Sequence, residues 1–495
     1  MVQQTRINEF RHAPIAPQRL FINGTWQSGS GKTLDVISPI NGQVITTIDH
    51  ATKRDVDHAV AAARTAFDDG RWSRETPSYR KKVLHRLADL IEENALELAV
   101  LGARDSGTEL NMALKAEPGS AAGTFRYYAE ALDKMYGEIA PTDRNTLGLI
   151  HREPVGVVGA IVPWNFPLMI AAWKLAPALA AGNSVVLKPA ETASLSLLKL
   201  AELAAQAGLP EGVLNVVTGK GSVTGEALAM SMDVDVLVFT GSGAVGRRLL
   251  EYSAHSNLKR VYLELGGKSP NIVFGDAPNL DEAAKVSAMG IFRNSGQVCV
   301  AGSRLLVERS IHDDFVSLVA KHAAALRVGD PLELSTDIGA INSLTQLKGN
   351  LSFVERAIAE GSSVYLGGNQ ALSETGGYYM EPTIITDVKP HHNLAQNEVF
   401  GPVLGVIPFE NDDDAIQIAN STPYGLAAGV WTANLTRAHK MVRSIQAGVV
   451  HVNTYGGADN TVPLGGVKQS GNGHDKSMHA FDKYVDLKTA WIKLG

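Results

Sequence analysis

The chain has 495 residues, 45% hydrophobic and 19% charged, with a formal net charge of −6. That length exceeds one ordinary domain, and the composition leaves ample apolar surface to bury. The slightly acidic balance excludes the basic excess that a nucleic-acid surface needs, so no nucleic-acid partner is expected.

Residues 1–18 are polar with both charge signs and lack the apolar run of a signal peptide. LFINGTW at 20–26 predicts a strand, an Asn-Gly turn and a strand. Thr52 to Asp55 form a capping box, and Val56, Ala59, Val60 and Ala63 follow at helical spacing. Val83, Leu87, Leu90 and Ile91 mark a second amphipathic helix. From about 155, short apolar strands (155–162, 184–187, 213–217, 234–239, 261–265) alternate with helices (167–181, 194–207, 222–230, 244–253). This rhythm predicts an α/β fold with a parallel sheet covered on both faces. The apolar stretch 168–181 is broken by Lys174 and Pro177 and is too short to cross a bilayer, so no membrane association is expected. Strands at 272–274 and 304–307 with helices near 281–293 and 312–327 predict a second α/β domain. The run 484–492 reads as a strand with no evident partner, a candidate for pairing across subunits.

Four places carry chemistry. Strand 236–240 runs into Gly241-Ser242-Gly243-Ala244-Val245-Gly246 and then a helix, the context in which a G-x-G-x-x-G turn cradles a pyrophosphate. No acidic residue stands at the usual distance beyond it, because Glu251 is early and Glu264 late. The ribose reader is therefore sought in Lys188-Pro189-Ala190-Glu191. Glu264 precedes two glycines at a strand end, as either an incidental turn carboxylate or a base. Asn165 sits between two aromatics and two prolines, as either a turn former or an oxyanion donor. Cys299 is the only cysteine, which excludes an internal disulfide and a four-cysteine metal site; no metal is expected. The thiol is either a buried spectator or a nucleophile. One unpaired thiol and no export signal suit a reducing cytoplasm.

These pieces together resemble the NAD(P)-dependent aldehyde dehydrogenase superfamily over essentially the whole chain. The resemblance rests on PWNFP at 163–167, KPAE at 188–191, FTGS at 239–242, LELGGKSP at 263–270, FxNxGQxC at 292–299 and EVFGP at 398–402. The segment 462–477 is most similar to the γ-glutamyl-γ-aminobutyraldehyde branch, which handles aminoaldehydes from polyamine breakdown. The resemblance implies a Rossmann-like NAD-binding domain (1–132 and 153–263), an α/β catalytic domain (264–473) and a small β oligomerisation flap (133–152 and 474–495) in a homodimer or homotetramer.

By position it implies that Cys299 attacks the aldehyde, giving a thiohemiacetal and then a thioester. Asn165 and the Cys299 backbone N–H hold the oxyanion, and Glu264 activates the hydrolytic water. Lys174 and Asp475 are implied as a proton relay. Lys188, Glu191, Gly241, Ser242, Gly246, Leu265, Glu398, Phe400 and Trp164 are expected around the cofactor. Met169, Trp173, Val298, Val300, Tyr455 and Asp459 are expected around the substrate. Glu191 implies NAD over NADP, since its carboxylate would oppose a 2′-phosphate. An acid beside aromatics suits 4-aminobutanal, 3-aminopropanal or a γ-glutamylated aminoaldehyde; a broad aliphatic range is the alternative. Glu264 counts against an acyl transfer to coenzyme A, and the intact Cys299, Asn165 and Glu264 count against a silent scaffold. Gly243, Val298, Val300 and His474 depart from common family residues.

Overall fold

Asn23 and Gly24 both take positive φ, 50° and 75°, as a type I′ turn requires, and they join Leu20–Ile22 antiparallel to Thr25–Gln27. The structure, a computed structural model, describes residues 4–457 and 459–495. The hairpin extends a seven-stranded sheet whose order is Arg260–Glu264, Val236–Thr240, Val157–Ile161, Ser184–Lys188, Leu214–Val216, Leu20–Ile22 and Thr25–Gln27. The first five run parallel. Val157–Ile161, Ser184–Lys188 and Val236–Thr240 are buried along their whole length, which is why they read as continuous apolar runs. The capping box forms as expected: Asp55 accepts from the Thr52 backbone at 2.8 Å and opens the helix Lys53–Asp68. The expected helix at 222–230 begins instead as a π turn, Gly221–Gly225, before the α-helix Glu226–Met230.

A second seven-stranded sheet has the order Ser363–Leu366, Thr383–Thr386, Val403–Phe409, Arg304–Glu308, Pro270–Val273, Ala427–Trp431 and Val449–Val452. Only its outermost pair, Ser363–Leu366 with Thr383–Thr386, is antiparallel. Among the described residues, no helix is long and apolar enough to cross a membrane.

The C-terminal strand corrects one expectation. Val485–Lys493 is not unpaired: it runs antiparallel to Thr146–Pro154 from Val485↔Pro154 to Lys493↔Thr146, within this chain. Glu138–Ala140 completes that three-stranded sheet. The partner lies hundreds of residues upstream, so no local pattern announces it. Thr146–Pro154 runs across position 152, His474–Asp475 pairs with Leu464–Gly465, and Phe481 and Tyr484 are buried.

Candidate active site

Parallel strands deliver their carboxyl ends to one edge, where ligands of open α/β sheets bind. Thr240 pairs with Glu264, and Ile161 with Lys188, so the residues after these four strands line up side by side. Glu264 is buried with neither carboxylate oxygen hydrogen-bonded among the described residues. Burial pushes its pKa well above the usual carboxylate range, and the charge of Asp475 adds to this. A carboxylate desolvated in this way is a stronger base than one in water.

The cysteine sits at the end of a strained turn. After the helix Leu280–Phe292 the chain takes three left-handed residues in succession, Asn294, Ser295 and Gly296, at φ 48°, 53° and 73°. Such conformations persist only where the surroundings over-determine them, and here they do. Asn294 N–H donates to Glu109 Oε1 (2.9 Å), and Asn294 Nδ2 to the Asn165 carbonyl (3.0 Å). Ser295 Oγ donates to the Gly339 carbonyl (2.8 Å), and Gln297 Oε1 accepts from Asn342 N–H (2.9 Å). A Cβ on Gly296 would stand 2.1 Å from the Gly401 carbonyl oxygen, so only glycine fits there. Asn165 Nδ2 donates to the Gln297 carbonyl at 2.8 Å, which orients the amide and leaves its second hydrogen.

Burial, then the charges of Glu264 and Glu398, push the Cys299 thiol up to about 12. In the ligand-free protein the thiol therefore holds its proton at neutral pH. Alkylation of Cys299 by iodoacetamide is expected to climb about tenfold per pH unit from 7 to 10, because only thiolate reacts. Mass spectrometry of a chain with a single thiol reads this directly; a rate already flat by pH 8 would contradict the assigned environment.

Two cavities of about 210 Å³ each meet at this residue. The outer one is lined by Trp164, Gly241, Ser242, Leu265, Glu398 and Phe400, together with Asn165, Glu264 and Cys299. The inner one is lined by Met169, Trp173, Val298, Val300 and Cys299, with residues described below. Among the described residues, Cys299 is the only one common to both walls. In the outer cleft Glu398 Oε1 accepts from Gly267 N–H at 3.1 Å, and burial lifts its carboxyl to about 7. A Cβ on Gly266 would stand 1.9 Å from Glu398 Oε2, so the glycine clears room for that side chain. The Trp164 and Phe400 rings meet edge to face at 5.3 Å.

Other expected residues lie elsewhere. Gly246 does not reach the cleft; it is buried under its helix, where a Cβ would stand 3.0 Å from Leu265 Cδ2, so it serves helix–sheet packing. Lys188 and Glu191 lie one strand further along the same edge, the buried Lys188 Nζ 3.4 Å from Glu191 Oε2. Tyr455 stands behind the inner wall rather than on it, its hydroxyl donating to the Val300 carbonyl at 2.9 Å. Asp459 is exposed, stands off the inner wall and caps its own turn, accepting from Thr461 N–H at 2.8 Å; its charge acts there only through Lys476. Lys174 lines neither cavity. It pairs with Asp475, which also takes Lys483 Nζ at 2.5 Å, and all three side chains are buried.

Several residues escaped the sequence reading. Gln346 lines the outer cleft and donates to the Phe400 and Val399 carbonyls at 3.2 and 3.0 Å. Lys483 completes the buried triad. Arg293, His451 and Lys476 line the inner cavity. Arg293 was open to view as the variable position in FxNxGQxC; the others carried no local signal.

The outer cleft fits a dinucleotide. Gly241 and Ser242 form its floor where the helix Gly243–Ala254 begins, Ser242 caps that helix, and the buried Thr240 hydroxyl has no partner among the described residues.

Comparison with known proteins agrees with this arrangement. Residues 26–490 match the aldehyde dehydrogenase family. The NADP/NAD-dependent aldehyde dehydrogenase PuuC of Escherichia coli K12 is 48% identical over 477 residues, 96% of each chain. The γ-glutamyl-γ-aminobutyraldehyde dehydrogenase of Burkholderia cenocepacia J2315 superposes with a TM-score of 0.98 at 48% identity over the whole of both chains. P. syringae AldA, an indole-3-acetaldehyde dehydrogenase solved with NAD+, does so with a TM-score of 0.98 at 49% identity, again over the whole of both chains. Matched along nearly its full length and sharing the fold throughout, the chain belongs to the aldehyde dehydrogenase family.

Proposed function

We propose that the protein oxidises an aldehyde to a carboxylic acid with NAD, using Cys299 as nucleophile. The observation that carries this is the thiol's position as the one residue shared by the two cavities, with Glu264 and Asn165 beside it on the outer wall. The Cys299 sulfur bonds to the carbonyl carbon, and its proton leaves to a base. The Asn165 amide and the Cys299 N–H hold the resulting oxyanion; one such donor is typically worth ~10²–10³ in rate. A nicotinamide cofactor held in the outer cleft would supply the hydride acceptor. Cys299 then holds the acyl group as a thioester, and Glu264 takes a proton from the water that releases the acid. Trp164, Gly241, Ser242, Leu265, Glu398 and Phe400 would hold the cofactor, with Lys188 and Glu191 toward its adenine ribose. Lys174, Asp475 and Lys483 form a charged network whose field reaches Glu264.

The preferred substrates in this reading are aminoaldehydes: a γ-glutamylated 4-aminobutanal, 4-aminobutanal or 3-aminopropanal. The likeness to the Burkholderia enzyme and to an aminoacetaldehyde dehydrogenase of Pseudomonas aeruginosa supports this. The first sheet and its helices serve the cofactor and also bring up Asn165 and Glu264, the second sheet carries Cys299, and the three-stranded sheet joins subunits into a homodimer or homotetramer. Leu487 and Trp491, both 65% exposed on one face of the terminal strand, support the last assignment. A cytoplasmic site suits the lone thiol.

The test follows formation of the reduced cofactor with NAD or NADP against acetaldehyde, hexanal, betaine aldehyde, 3-aminopropanal, 4-aminobutanal and its γ-glutamyl form. NAD is expected to exceed NADP in kcat/KM. The best aminoaldehyde is expected to exceed hexanal by about tenfold or more, ~1.4 kcal/mol of transition-state preference. Equal rates across the panel would reduce the reading to a general aldehyde dehydrogenase.

A further inference from the structure

Among the described residues the wall of the inner cavity bears no carboxylate, yet it carries Arg293, His451 and Lys476. Two of these are accounted for. Lys476 lies 4.9 Å over the Trp173 ring and feels the charges of Asp475 and Asp459. His451 is held toward its neutral form by burial and by Arg293.

Arg293 is different. It directly follows the helix Leu280–Phe292, in the segment that delivers the thiol. Its Nε is buried without a hydrogen-bond partner, and no carboxylate is in ion-pair contact with its guanidinium among the described residues. Glu109 acts on it only through space and is committed to Asn294 N–H at 2.9 Å. Gly456 makes room for the guanidinium: a Cβ there would stand 3.0 and 3.1 Å from its two terminal nitrogens. A largely buried guanidinium without an ion-pair partner is costly. Placed on the wall of a substrate cavity, it is a seat for an anion, and its planar fork matches a carboxylate.

We infer that Arg293 selects aldehydes whose far end carries a carboxylate, which pairs with the guanidinium while the carbonyl end reaches Cys299. This rests on the reading of Cys299 as nucleophile and narrows the substrate class. A γ-glutamylated aminoaldehyde brings such a carboxylate. Unmodified 3-aminopropanal and 4-aminobutanal bring an ammonium toward a cation.

The test uses chain-matched pairs with NAD: 4-oxobutanoate against butanal, 5-oxopentanoate against pentanal, 6-oxohexanoate against hexanal. In the unaltered protein at least one acid is expected to exceed its neutral partner by about tenfold or more in kcat/KM, chiefly through a lower KM. In Arg293→Met that ratio falls to about one, and Arg293→Lys, which keeps the charge but not the fork, retains part of it. The inference is overturned if the neutral aldehydes are oxidised and no acid gains over its partner. It is overturned equally if Arg293→Met lowers both members of a pair alike, which would make the residue structural. Oxidation of no aldehyde at all would overturn the dehydrogenase reading and this inference with it.

Discussion

Replacing Cys299 with alanine is expected to lower aldehyde oxidation by about 10⁴-fold or more, because the covalent route is removed and no second thiol exists to restore it. The companion change, Glu264→Gln, should separate the two halves of the reaction. The buried amide cannot take a proton from water, so the enzyme should release about one equivalent of reduced cofactor and then stall as the thioester. Stopped-flow absorbance and intact-protein mass read the burst and the retained acyl group. Steady turnover in Glu264→Gln without an acyl adduct would show that another group is the base. Turnover within tenfold of normal in Cys299→Ala would remove the covalent mechanism altogether.

The largest effect on stability is expected at Asp475. Its carboxylate lies between Lys174 and Lys483, and all three groups are buried. Removing the acid strands two ammonium groups where water cannot reach them, so Asp475→Ala should cost roughly 3–5 kcal/mol in urea unfolding. Exchanging all three together for leucine and methionine should recover most of that loss, because a fully apolar cluster needs no counter-charge. Although burial alone would raise the Asp475 pKa, the two lysines hold it below the ordinary carboxyl range. A depressed carboxyl favours the fold above its unfolded pKa. This contribution is therefore complete at neutral pH and disappears as the pH falls below about 4. An Asp475→Ala protein as stable as the original would mean that the triad carries no net stabilisation.

What could be read from the sequence was what the chain decides locally. The Asn23-Gly24 turn and the Thr52–Asp55 cap depend on neighbours within a few positions, and they form as expected. The alternating strands and helices from 155 onward were legible because a strand buried on both faces must be apolar throughout. Motifs singled out Asn165, Glu264 and Cys299 although they lie far apart along the chain, and the fold brings them to one cavity. Long-range facts were not legible. No local pattern near 484–492 reveals that the terminal strand pairs with Thr146–Pro154, and only the family resemblance grouped those segments; nothing near Lys483 marks it as the second cation on Asp475. Tyr455 and Asp459 were placed on the inner wall by position alone. The loop after Val449–Val452 turns one behind that wall and the other to solvent. Gly246 completed a recognisable pattern, yet its glycine serves helix packing rather than phosphate approach.

Because the two cavities share only Cys299 among the described residues, they can change independently. On the proposed assignment, a substitution on the inner wall would alter which aldehyde fits without disturbing the residues that would grip the cofactor, and the converse would hold for the outer wall. Sequence drift can therefore explore new substrates while the redox half of the enzyme stays intact. Overall similarity then says little about diet: two proteins named for very different aldehydes stand at 48% and 49% identity to this chain. What distinguishes such enzymes is to be sought in a few side chains around one small chamber.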